Sequence, residues 1–245
     1  TVSGIFSLQS MNFLEMKTQI AAYLNRELLS FSASGSDVLG NCVNYARRDL
    51  QRRIDLQYCR ARGFLNVSFL TGALLENTKI MGGEDTLLVK KIEAAFIYNA
   101  AGSGNYDGRP IPVISRWNDV ARSARTQSTD FSTASQYTPS DISLVVQGQQ
   151  VYFTGGAANQ YPAASALDVV LDVVAWLPDL SADDDSDFTL NECGDYILLK
   201  AVQQLNFFLK EDERVQITNS AVKETYESVV VWDAGLGGAN DNTLS

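Results

Sequence analysis

The hydrophobic period changes twice along this chain, from that of a helix to that of a strand and back, and this constrains the fold more than any single residue. From Asn12 to Leu29, the apolar residues Phe13, Met16, Ile20, Tyr23 and Leu24 recur at three- and four-residue intervals, which predicts a first helix. SFSASGSD reads as a loop, with Ser36 or Asp37 as the N-cap of a longer second helix. There Leu39, Val43, Ala46, Leu50 and Ile54 fall on one stripe, and Arg48 and Arg52 project from the opposite face. From Gly63 to Pro178 the texture becomes strand-like. FLNVSFL, LLVKKIEAAFIY, IPVI, ISLVVQGQQVYFT and LDVVLDVVAWL are short β-type runs separated by Gly, Ser, Asn and Pro clusters. ISLVVQGQQVYFT reads as a hairpin turning at Gly148. After the acidic turn SADDDSD, helical periodicity returns from Leu190 to Lys210 and from Arg214 to Ala234. The first of these is apolar over most of its circumference (Ile197, Leu198, Ala201, Leu205, Phe208, Leu209), and the second carries one stripe (Val215, Val222, Tyr226, Val229, Val230). The two read as an antiparallel hairpin around EDE.

The expected fold class is therefore α+β. A four-helix bundle is drawn from the N-terminal helices (1–62) and the C-terminal helical hairpin (179–234), an antiparallel β-rich lobe (63–178) is inserted between them, and residues 235–245 form a flexible C-terminal arm. At 245 residues, with 45% hydrophobic and 20% charged side chains, the chain has the balance of a folded globular protein. The connections TGALLENTKIMGGED, NAAGSGNYDGR and RTQSTDFSTASQYTPS are long for a compact domain, and long ordered loops usually serve contacts.

Charge and chemistry exclude more than they select. The net charge is −10, which argues against a whole surface wrapped on phosphate backbone. Yet Tyr45 to Gly63 holds six arginines (Arg47, Arg48, Arg52, Arg53, Arg60, Arg62) against Asp49 and Asp55, a local +4 that leaves −14 on the rest. Arg47, Arg48, Arg52 and Arg53 are thus candidates for a subunit interface. Histidine is absent, which removes the usual general base, the usual metal ligand and every histidine-containing triad. Cys42, Cys59 and Cys193 are an odd number without CxxC spacing and read as buried free thiols.

Asp183, Asp184, Asp185 and Asp187 look like the opening of a calcium loop. The pattern fails where Phe188 stands in place of the required glycine and Gly194 in place of the required glutamate, so an acidic turn leading into a helix is the better reading. The glycine stretches GGED and AGSGNYDG lack the order of a dinucleotide or phosphate loop. No catalytic, cofactor or metal site is assigned. Apolar runs fall far short of the roughly 18 residues of a membrane span, and the opening residues read as no signal leader, so no membrane association is expected.

Taken in order, three sets of segments resemble the head-to-tail adaptor, or connector, proteins of short-tailed bacteriophages. They are VNYARRDLQRR; LVKKIEAAFIY with RPIPVISRWNDVAR; and DISLVVQGQQVYFTG followed by DVVLDVVAWLPDLSADDDSDFTLNECGDYILLKAVQQLNFFLKEDERVQITNSAVKETYESVVVW, which together span most of Asp37 to Asp233. In that family an aspartate-rich turn after the last strand leads to a helix rich in Leu and Ala, a short acidic connection and a final helix. The resemblance implies a structural protein of the virion neck, assembled in the host cytoplasm as a ring commonly of twelve copies. The ring joins the portal protein to tail nozzle or tail-tube proteins and surrounds a channel through which genomic DNA passes without sequence-specific binding. It also implies a portal-docking arm, which maps to Gly235, Leu236, Gly237, Gly238, Ala239, Asn240, Asp241, Asn242, Thr243, Leu244 and Ser245. The chain departs from the family pattern in Thr71 to Asp85 and in Ser123 to Ser140. The alternatives are another neck or tail-completion protein, a metal-dependent hydrolase using the aspartate cluster, and an unrelated cytosolic binding module.

Overall fold

A computed structural model describes residues 11–25, 37–98, 106–114, 142–154, 165–209 and 212–241. The chain divides into two compact units, residues 1–58 with 178–245 and residues 59–177.

The first unit is helical. α1 (Phe13–Tyr23) starts on a capping box, in which Asn12 Oδ1 accepts from the Glu15 amide at 2.8 Å and Glu15 Oε2 from the Asn12 amide at 3.0 Å. α2 (Val38–Arg53) is capped by Asp37, whose carboxylate accepts from the Gly40 amide at 2.8 Å, and ends where Ile54 turns extended. Its stripe Leu39, Val43, Ala46 and Leu50 is buried, each fully buried Leu or Val contributing about 1.5–3 kcal/mol. α3 (Phe188–Glu192) and α4 (Gly194–Phe208) are separated by Cys193, and α5 (Asp212–Asp241) runs for 30 residues. α4 and α5 are antiparallel, since Gln203 meets Asn219 while Tyr196 meets Tyr226.

This arrangement corrects the expected four-helix bundle. The described residues hold five helices, and α4 is the hub that packs against α1, α2 and α5. The reason lies in length and apolarity. Tyr196, Ile197, Ala201, Val202 and Leu205 are buried around α4, as they must be in a helix covered on several sides. α1, with 11 residues, is about 16 Å long and cannot run beside a 30-residue helix of about 45 Å, so no four-membered barrel of matched helices forms. The expected flexible arm is corrected as well: Gly235 to Asp241 continue α5, while 242–245 lie outside the described residues.

The second unit is two sheets around one core. β1 (Arg60–Ser68), β3 (Lys79–Ile80), β4 (Val89–Tyr98), β5 (Tyr106–Ile111) and β9 (Ala166–Ala175) form an antiparallel sheet in the order β3-β1-β9-β4-β5. β2 (Ala73–Leu74), β6 (Val113–Ile114), β7 (Ser143–Gln147) and β8 (Gln150–Thr154) form the second sheet, in the order β2-β8-β7-β6. Leu65, Val67, Ala95, Ile97, Val169, Leu171 and Val173 from the first sheet pack with Leu144 and Val151 from the second. β9 is the central strand, and on its other face Val170 is fully buried, flanked in register by Phe64 and Phe96. The β7–β8 turn has positive φ at Gly148 (62°) and not at Gln149, the pattern of a two-residue turn opened by glycine.

Two segments read as loops are partly strand. Tyr106 to Pro110 pair with β4, and the sheet tolerates Gly108 and Pro110 because β5 is an edge strand. Thr71 to Asp85 supplies β2 and β3, which pair with β8 and β1. The loop Ser123 to Ser140 lies outside the described residues.

Candidate interaction site

The four candidate arginines do not form one face. Arg47 is 1% exposed, and its guanidinium is consumed inside the helical unit. Nε donates to Thr189 Oγ1 at 3.1 Å, Nη1 to Asn44 Oδ1 at 3.0 Å and to the Pro178 carbonyl at 3.1 Å, and Nη2 to the Asp187 carboxylate. Arg48 is half-exposed and grips Asp179 through two hydrogen bonds, at 2.9 and 2.6 Å. Arg52 is exposed. Arg53 donates from Nε to Asp49 at 2.9 Å, and its guanidinium carbon lies 5.8 Å from the centre of the Tyr226 ring.

The aspartate turn is built rather than merely solvated. Asp183 holds the Lys17 ammonium at 2.6 Å, and the same ammonium donates to Asp37 at 3.0 Å. Burial opposes the charge on Lys17, but the hydrogen bonds and charges of Asp183 and Asp37 outweigh it and raise its pKa above the ordinary value. Asp185 accepts from the Ser181 and Ala182 amides at 2.6 and 2.8 Å, and these bonds lower its pKa. Asp187 caps α3, accepting from the Thr189 and Leu190 amides at 3.0 and 3.2 Å, while it also pairs with Arg47. The turn's own backbone completes α1: the Phe13 and Leu14 amides donate to the carbonyls of Asp185 and Asp183 at 2.8 and 3.0 Å. Asp184 stays exposed and makes no hydrogen bond or ion pair among the described residues. No group of three or more His, Cys, Asp or Glu side chains among the described residues is placed to hold a metal ion.

A second polar cluster lies at the other end of α2. Asp49 Oδ2 accepts from Tyr196 Oη at 2.7 Å and from Arg53, with the Lys200 ammonium at 3.6 Å. Burial disfavours the Asp49 charge, yet the bonds from Tyr196 and Arg53 and the charge on Lys200 prevail and hold its carboxyl below the ordinary value. Sequence reasoning missed this cluster. Its available signal was the i, i+4 pair Asp49 and Arg53.

The three cysteines are buried thiols that form no disulfide. Burial first, and then the charge of Asp37, push the Cys42 thiol up to about 11, which leaves it protonated and inert at neutral pH. Of the arm residues, Gly235 is exposed and Leu236 half-buried on α5, beyond Asp233, the last buried side chain among the described residues. No described helix is long and apolar enough to cross a membrane. Comparison with protein-family models finds no match, and comparison with curated proteins finds none either.

Proposed function

We propose that this protein is a ring-forming adaptor of a short-tailed bacteriophage, joining the head portal to the tail around the DNA exit channel, and that its task is mechanical rather than catalytic. The observation that carries the reading is the run from β9 through the aspartate turn into α3, α4 and α5, because this is the order in which the family that the chain resembles is built. The way three of the turn's four carboxylates are spent supports it further. Asp183, Asp185 and Asp187 fix α1, the turn and α3 in place, which is work for a rigid scaffold rather than for a metal-assisted reaction.

In this reading the partners are the portal protein, tail nozzle or tail-tube proteins and further copies of the chain, commonly twelve, with DNA passing without sequence-specific contact. Residues 235–245 are the portal-docking segment. Gly235, Gly237 and Gly238 weaken the end of α5 by about 1 kcal/mol each relative to alanine, so this end can reorganise on a partner at small cost. Electron microscopy of the chain mixed with assembled portal tests the proposal. A ring below the portal that is lost when residues 235–245 are removed is expected, and an undecorated portal overturns it.

A further inference from the structure

The helical unit carries a groove of about 280 Å³ between the end of α2 and the α4–α5 hairpin, lined by Arg53, Tyr196, Lys200, Val222, Lys223 and Tyr226. Its charge is unlike that of the chain as a whole. Three cations line it; the carboxylate behind it, Asp49, is already taken by Tyr196 and Arg53, and Glu227 stands 3.9 Å from Lys223 at the rim. Even with both acids counted, the described lining of the groove is positive on a chain of net charge −10. Lys200 is the informative side chain. The side chain is 13% exposed and its ammonium has three donors, yet its partner among the described residues is Asp49 at 3.6 Å, beyond hydrogen-bond reach and on an oxygen that already accepts two bonds. Donors of this kind, beside the flat walls of Tyr196 and Tyr226, suit a carboxylate on a short side chain.

The chain itself presents such a group. Asp184 is exposed at the tip of the aspartate turn and unengaged among the described residues, while its neighbours Asp183 and Asp185 are held. The turn is anchored at the start of α2, because Lys17 bridges Asp183 to the N-cap Asp37. The groove sits at the end of the same helix, at Arg53. Sixteen helical residues separate the two by about 24 Å, so one chain cannot close the contact on itself. Complementary surfaces at opposite ends of one rigid element make a head-to-tail contact, which propagates as a closed ring or a filament.

We infer that the groove of Arg53, Lys200 and Lys223 receives the aspartate turn of a second copy, with Asp184 at the contact. The inference rests on the ring reading and names its subunit interface. Lys223 and Asp184 are exposed, so Lys223→Glu and Asp184→Lys leave the helical packing intact. Mass photometry with and without portal is expected to show each single variant needing at least about tenfold more protein to assemble, and the double variant restored to near the original value. A disulfide test adds a second readout. The native cysteines are buried, so Lys223→Cys combined with Asp184→Cys is expected to give a ladder of linked copies, while either variant alone gives none.

Unchanged assembly in both single variants, or a linked dimer from one cysteine variant alone, overturns the inference. So does a groove whose Lys223→Glu change abolishes binding of a DNA oligonucleotide while assembly is untouched. Rings on the portal that ignore both charge reversals leave the adaptor reading standing without this contact. Assembly that obeys the charge swap but never engages portal leaves the contact standing without the adaptor reading.

Discussion

The Arg47 guanidinium is paired with the carboxylate of Asp187, the residue that caps α3, although the two lie 140 positions apart in sequence. One buried ion pair thus joins the N-terminal and C-terminal parts of the helical unit. Arg47→Ala leaves the part-buried Asp187 carboxylate without its cation and removes the donor shared by Asn44, Thr189 and Pro178, so it is expected to lower stability by about 3 kcal/mol in urea denaturation. Arg47→Lys restores only part of the loss, since an ammonium cannot reach Thr189, Asn44, Pro178 and Asp187 from one planar fork. Equal stability of Arg47→Ala and the wild type would show that the pair contributes nothing.

Acid and alkali act on the second cluster with opposite signs. The Asp49 carboxyl is depressed in the folded chain, so its contribution is present above the unfolded value of about 3.9 and lost as pH falls through the folded one. Asp49→Asn should therefore lose stability less steeply than the wild type on acidification below about pH 4. Tyr196 is pushed up, by burial first and then by its hydrogen bond to Asp49, so its contribution is complete below about pH 10 and lost above it. Tyr196→Phe should flatten that alkaline limb. Thermal melts across pH check both, and parallel curves for variant and wild type would refute the assignment.

Two glycines of the β unit separate steric from conformational cost. Gly82 has φ 84° and open space around it, so Gly82→Ala carries only the left-handed penalty of about 1–2 kcal/mol. Gly72 has φ 69°, and a Cβ there would collide with the Val151 carbonyl, a backbone atom that cannot step aside. Gly72→Ala is expected to destabilise clearly more than Gly82→Ala in denaturant melts, and the reverse order would contradict the described packing of β2 on β8.

The end of α5 offers a prediction in the stabilising direction. A Cβ at Gly235 meets nothing within 4 Å, so Gly235→Ala gains helix propensity without a clash. Amide exchange over residues 235–241 should slow by about fivefold, the equivalent of about 1 kcal/mol. Unchanged exchange would mean that this end of the chain is not helical in solution.

Much of the local structure was legible because period alone decides it. The α2 stripe of Leu39, Val43, Ala46 and Leu50, the hairpin at Gly148 and the apolar run of β9 all follow from spacing. What spacing could not show was how the helices meet: the apolar circumference of α4 announced several neighbours without naming them, so a bundle was expected where a hub stands. Tyr106 to Arg109 hid as a loop because only an edge position excuses Gly108 and the Pro110 that follows. At the site, Arg48 and Arg52 were legible as surface residues. Arg47, one position round from Ala46, flanks the apolar stripe and is buried because Asn44, Thr189 and Asp187 converge on it. The aspartate turn showed its charge but not its division of labour, which depends on Lys17 and on α1 amides about 170 residues away in sequence.

The most direct test of the adaptor reading is the mass of the complex that forms when the purified chain meets assembled portal. The account predicts a discrete species in which each portal ring gains a full ring of copies, commonly twelve. A portal mass that stays unchanged at saturating protein, with the chain remaining monomeric, would contradict it.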